Sequence, residues 1–170
     1  MPHIYILSIW FICLSNIGIG QDTHGLFNTK KDTSFNEKDE ITGIGSTVAK
    51  GKYKGLKFGY WTEYYQTGEK KCSGMYLTEK YMECNDGGIF WKYYSYKVGQ
   101  WKYYYQNGFI KAEGTFETQV FNYPTTCKGG YNLIKQKVGE NWIFYSENEK
   151  IMKPEKQTIK LMEDITFKLQ

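Results

Sequence analysis

Two stretches of this chain superimpose on one another without a gap. Gly59 opens G-Y-W-T-E-Y-Y-Q-T-G-E-K-K-C-S-G-M-Y, ending at Tyr76, and Gly99 opens G-Q-W-K-Y-Y-Y-Q-N-G-F-I-K-A-E-G-T-F, ending at Phe116. The offset of 40 residues matches Gly59 with Gly99, Trp61 with Trp101, Tyr64 with Tyr104, Gly68 with Gly108 and Gly74 with Gly114. A third, weaker copy begins at Gly139 as G-E-N-W-I-F-Y-S-E-N-E-K-I, with one residue added before Trp142 and Glu149 in place of the turn glycine. A fixed period restricts the fold to supersecondary units that bury their apolar faces only by stacking on their neighbours.

Each copy reads as a β-hairpin. Trp101, Tyr103 and Tyr105 alternate with Lys102 and Tyr104, the period of two of a strand with one packed face. Asn107-Gly108 then predicts a type I′ turn, which needs positive φ at both central residues, and Ile110, Ala112, Gly114 and Phe116 continue on the return strand. Thr67-Gly68 is the corresponding turn of the first copy, and the extra residue of the third predicts a β-bulge or a longer strand entry. Between the copies, Tyr81 to Cys84 and Ile89 to Tyr96 are further strands joined through Asn85-Asp86-Gly87-Gly88, so 40 residues hold two hairpins. Gly59, Trp61, Gly68, Gly99, Trp101, Gly108, Gly139 and Trp142 are accordingly the structural residues of the repeat.

The expected fold is all-β, an elongated antiparallel sheet of stacked β-hairpins over residues 51–153. Residues 1–20 carry no Lys, Arg, Asp or Glu and hold an apolar run from Ile4 to Leu14, which reads as a secretory signal peptide. Residues 21–50 are polar and without periodicity and read as a loose segment. The tail, 154–170, fits either a strand or a short helix, with Ile159, Leu161, Ile165, Phe167 and Leu169 favouring strand.

Composition narrows the function. All 22 basic residues are lysine, and without arginine, the side chain that reads phosphate and guanine with a bidentate fork, specific nucleic-acid recognition is not expected. The 2 histidines, His3 and His24, both precede the repeat, which therefore lacks His-assisted nucleophiles and His metal ligands. No phosphate-binding glycine motif occurs, and no metal or cofactor is expected. Glu63, Glu83, Asp86 and Glu113 are the remaining acid–base candidates; no spacing among them marks the pair that glycoside hydrolysis needs, and solvated surface positions explain them better.

Three cysteines, Cys72, Cys84 and Cys127, follow the signal peptide. Three pairings are open; Cys72 with Cys84, on successive predicted strands, is preferred over three buried thiols. The tryptophans at matched positions, Trp61, Trp101 and Trp142, fit a packed ladder between hairpins better than a stacking platform for a ligand. Tyr64, Tyr94 and Tyr104 on the opposite face, with Lys92 and Lys102 nearby, are the candidate binding residues.

The pattern G-x-W-x-x-Y-Y-x-x-G followed by G-x-Y or G-x-F is carried by Gly59, Trp61, Tyr64, Tyr65, Gly68, Gly74 and Tyr76 and again by Gly99, Trp101, Tyr104, Tyr105, Gly108, Gly114 and Phe116. It resembles the MORN-variant repeat of bacterial proteins, including those labelled YwqK-type antitoxins, from about Gly51 to Lys153. The resemblance implies an antiparallel sheet of stacked hairpins and a role in binding or scaffolding, and it brings no catalytic motif. The expected protein is thus an exported, non-enzymatic module, secreted or in the bacterial cell envelope, whose partner is a protein, a glycan or a membrane surface. Two alternatives stay open: an antitoxin or immunity protein, and a carboxylate-dependent carbohydrate-active enzyme.

Overall fold

The computed structural model describes residues 27–85, 87–123 and 131–167. The expected signal peptide, Asp86 and Cys127 lie outside them. Among the described residues ten strands form one open antiparallel sheet. They are β1 (Thr29–Phe35), β2 (Ile41–Val48), β3 (Gly59–Tyr64), β4 (Lys70–Asn85), β5 (Gly88–Tyr104), β6 (Ile110–Tyr123), β7 (Tyr131–Val138), β8 (Ile143–Tyr145), β9 (Ile151–Met152) and β10 (Thr166–Phe167), with one helix, α1 (Lys156–Met162). The order across the sheet is β1-β2-β3-β4-β5-β6-β8-β9; β7 pairs with β6, and β10 with β5. Among the described residues no helix is long and apolar enough to cross a membrane.

Four hairpins close with one turn geometry. In the β3–β4 turn the Gly68 amide donates to the Tyr65 carbonyl at 3.0 Å and the Tyr65 amide to the Glu69 carbonyl at 2.8 Å. The same two bonds recur at Tyr105, Gly108 and Phe109, at Ser146, Glu149 and Lys150, and at Asn36, Asp39 and Glu40. The fourth residue is left-handed each time, with φ of 91° at Gly68, 86° at Gly108, 58° at Glu149 and 58° at Asp39. This is the three-residue loop in which a turn is followed by a left-handed bulge. It replaces the expected type I′ turn, since Asn107 does not share the positive φ of Gly108. Instead the Asn107 side chain accepts the Phe109 amide at 3.1 Å.

The Asn36–Glu40 turn and its two strands correct the reading of 21–50 as loose over residues 29–48; 21–26 lie outside the described residues. The β1–β2 hairpin is a further repeat that lacks the aromatic signature. Six residues after the left-handed position stands a glycine in three hairpins, Gly45, Gly74 and Gly114, and each is the seat of a tryptophan from the next hairpin. Trp61 lies on Gly45, Trp101 on Gly74 and Trp142 on Gly114, so closely that a Cβ at any of the three would overlap the indole. Each indole N–H then donates to the carbonyl just past its seat: Trp61 to Ser46 at 2.6 Å, Trp101 to Met75 at 3.2 Å and Trp142 to Thr115 at 3.0 Å. Burying an indole is favourable only when its N–H is satisfied, and the same backbone step meets both demands. Tyrosines brace the other end of each hairpin, the Tyr65 hydroxyl donating to the Tyr104 carbonyl and the Tyr105 hydroxyl to the Tyr145 carbonyl, both at 2.7 Å.

The third copy departs at its entry. Gly59 and Gly99 are left-handed, with φ of 75° and 65°, but Gly139 is not, and the added residue is taken up in a turn at 140–141 before Trp142. The tail is helix and then strand: α1 buries Met162, and β10 pairs Thr166 with Ser95. A second core forms where the long β4–β5 hairpin meets β6 and β7, around Tyr94, Tyr96 and Leu133.

Cys84 is disulfide-bonded, whereas Cys72 is free and buried, so the preferred Cys72–Cys84 bridge is overturned. Both sit on the single strand β4, where 12 residues of extended chain separate them by roughly 40 Å, far beyond disulfide reach.

Candidate functional site

The strand register carries one row of side chains across the inner face of the ladder. Glu63 pairs with Cys72, Cys72 with Tyr103, and Tyr103 with Ala112. Tyr76 and Lys97 form the next pair along β4 and β5 on that face. Small side chains at 72 and 112 leave a hollow of about 290 Å³, with Thr158, Leu161 and Met162 of α1 on one side and Lys71, Lys111, Tyr65 and Tyr104 also lining it.

The floor is polar although it is buried at Cys72 and Tyr76 and half-buried at Lys57 and Glu63. Lys57 Nζ lies 2.6 Å from Glu63 Oε1, the Tyr76 hydroxyl donates to that oxygen at 2.9 Å, and the Cys72 thiol donates to Oε2 at 3.4 Å. Burial alone would raise the Glu63 pKa. The charge and hydrogen bond of Lys57, the Tyr76 hydroxyl and the charge of Lys97 outweigh it and hold the carboxyl at about 2. Burial, reinforced by the Glu63 charge, pushes the Cys72 thiol up to about 12, which leaves it protonated and a poor nucleophile at neutral pH.

Lys97 is buried, and its ammonium donates to the Met162 carbonyl at 3.1 Å while facing the rings of Trp101, Tyr103 and Phe116 at 5.5, 5.7 and 5.8 Å. Burial lowers its pKa, and the Glu63 charge acts against that. Gln136 ties down the end of α1, donating to the carbonyls of Met162 and Asp164, and Glu163 accepts the Val138 amide. Among the described residues the buried Tyr103 hydroxyl has no hydrogen-bond partner. An unmet buried hydroxyl costs about 1–3 kcal/mol, so this one is a standing invitation to an acceptor. No group of three or more His, Cys, Asp and Glu among the described residues is arranged to hold a metal ion.

The five residues expected to bind are not brought together. Tyr94 is 0% exposed in the second core, where its hydroxyl donates to the Ile134 carbonyl at 2.7 Å and accepts the Ile134 amide, so it is corrected from surface to core. The β6–β7 hairpin covers the face that alternation alone leaves open. Tyr64 is half-buried opposite Lys70. Tyr104 is half-buried at the hollow, its ring beneath Lys70 Nζ at 5.5 Å. Lys92 pairs with Glu83 at 3.3 Å, and Lys102 with Glu113 at 3.1 Å. Glu113 stands on the face opposite Glu63, since Glu113 and Lys102 pair one residue out of phase with Ala112 and Tyr103, so these two carboxylates cannot flank one substrate. Sequence reasoning missed Tyr103 and Lys97. Tyr103 shares the strand phase of Trp101, a usable signal, whereas the inward turn of Lys97 appears only once Tyr76 is known to be its partner.

A second feature lies at the far end of the longest hairpin. Ile89, Phe90 and Trp91 are 61%, 43% and 46% exposed on β5, with Lys80 Nζ 4.4 Å from the Trp91 ring. They stand beside disulfide-bonded Cys84, whose backbone pairs with Ile89. Comparison with family models, with curated proteins and with solved structures finds no match to this chain.

Proposed function

We propose that the chain is an exported, non-enzymatic binding or scaffolding module of MORN-like hairpin repeats, acting in the bacterial cell envelope or outside the cell. The observation that carries this reading is the tip of the β4–β5 hairpin. Three consecutive large apolar side chains are held in solvent at its end, on strands of 16 and 17 residues whose middle is anchored in the second core. Ile89 and Trp91 share one face of the strand end and Phe90 stands on the other, so the tip presents large apolar side chains on both sides, and exposed apolar surface of this kind marks a contact surface. Lys80 beside the Trp91 ring suits a partner that offers both apolar area and negative charge, as a membrane surface, an acidic glycan or a protein does.

The test is co-sedimentation of the protein with the isolated envelope fraction of its own organism. The Phe90→Ala/Trp91→Ala variant is expected to melt within about 1 kcal/mol of the parent, because both side chains are exposed, and to remain in the supernatant while the parent pellets. Equal pelleting of the two proteins removes the tip as the contact. Hydrolysis of envelope glycan by the parent, lost on Glu63→Gln, replaces the module by an enzyme.

A further inference from the structure

We propose that the hollow beneath α1 is a binding site for a small organic anion, a carboxylate or phosphate headgroup on a compact apolar body. The proposal goes beyond the hairpin-tip reading and uses none of its residues. Three observations point the same way. The first is charge: Lys71, Lys97 and Lys111 line the hollow, and the one carboxylate among the lining residues, Glu63, is already matched by Lys57 at 2.6 Å. Neither Lys71 nor Lys111 is in an ion pair among the described residues. The field inside is therefore positive, in a site partly shut off from water, where charge acts at its strongest.

The second is the Tyr103 hydroxyl, a buried donor without an acceptor among the described residues, on a side chain that lines the hollow. Buried polar groups are nearly always paired, and an exception on a side chain lining a cavity can be met by a group that enters it, an ordered water or a ligand. The third is shape and lining. The volume of about 290 Å³ is at the small end of ligand pockets, and Ala112, Leu161 and Met162 offer apolar wall beside the tyrosine rings. An anion would accept hydrogen bonds from Tyr103 and the lysine ammonium groups and lay its apolar part against α1. The excess of lysine, with Glu63 already matched by Lys57, disfavours a cation.

Phenyl phosphate is the probe, with benzyl alcohol as the neutral control of similar body, both titrated calorimetrically into the full chain at millimolar concentration. Saturable binding of phenyl phosphate and none of benzyl alcohol is expected. Tyr103→Phe keeps the ring, removes only an unpaired hydroxyl and is expected to leave the melt unchanged or slightly raised, while weakening phenyl phosphate about tenfold. Lys71→Gln, at an exposed side chain, is expected to weaken it by a smaller factor and to flatten its dependence on salt. No saturable binding of phenyl phosphate, equal binding of benzyl alcohol, or unchanged affinity in Tyr103→Phe overturns the proposal. Loss of envelope binding in Phe90→Ala/Trp91→Ala with phenyl phosphate affinity intact is expected, since the two surfaces are separate.

Discussion

The two halves of β5 belong to different cores, built on different rules. From Gly99 to Tyr104 the strand contributes to a ladder in which every tryptophan is seated on a glycine of the preceding hairpin and bonded to the next carbonyl. From Gly88 to Val98 it contributes to a cluster of Tyr94, Tyr96 and Leu133 that occurs once, held by a tyrosine hydroxyl on the backbone of β7. The ladder depends on close approach, so it tolerates no change at its seats. The cluster depends on a hydroxyl and on the meeting of two long hairpins, so its losses should be smaller and local.

Four substitutions or conditions sharpen that contrast. The largest effect is expected from Trp101→Ala, which removes a fully buried indole packed against Tyr76 and Phe116 and should cost roughly 3–5 kcal/mol in a denaturant melt. Next comes acid. The Glu63 carboxyl, held at about 2 against its ordinary 4.5, contributes stability that is complete above pH 4.5 and is lost as the pH falls toward 2. Denaturant melts over that window should lose on the order of 2–3 kcal/mol in the parent and much less in Glu63→Gln.

Tyr94→Phe should cost about 1 kcal/mol and act on the other core, raising amide exchange around Ile134 while the ladder amides stay protected. Loss of protection at both would mean that the two cores are one cooperative unit. The smallest effect is a gain. Glu149 occupies the left-handed turn position filled by glycine in two sister hairpins, and Glu149→Gly should stabilise by up to about 1 kcal/mol in the same melts.

The same contrast explains what was legible beforehand. The ladder repeats, so its glycines and tryptophans announce themselves at fixed spacing, and the open antiparallel sheet of hairpins follows from them. Its first hairpin went unread for a reason within the ladder itself. The first hairpin among the described residues offers a seat, Gly45, but carries no tryptophan of its own, and tryptophan spacing marks only the hairpins that have one. Asp39 further hid the turn, since an aspartate can adopt the left-handed φ that glycine advertises. Tyr94 was misplaced because alternation reports which face a residue occupies and not whether a distant hairpin covers it. The hollow was half legible: Glu63, Cys72 and Tyr104 were singled out for other reasons, while Lys97 has no local signature.

The seating of each tryptophan on the preceding glycine is tested most directly by a double-mutant cycle at Gly74 and Trp101. Gly74→Ala alone places a methyl group inside the indole and should cost roughly 1–3 kcal/mol or more. In the Trp101→Ala protein the same methyl enters vacated space and should cost close to nothing, a coupling of more than about 1 kcal/mol. Costs that simply add, to within about 0.5 kcal/mol, would contradict the ladder.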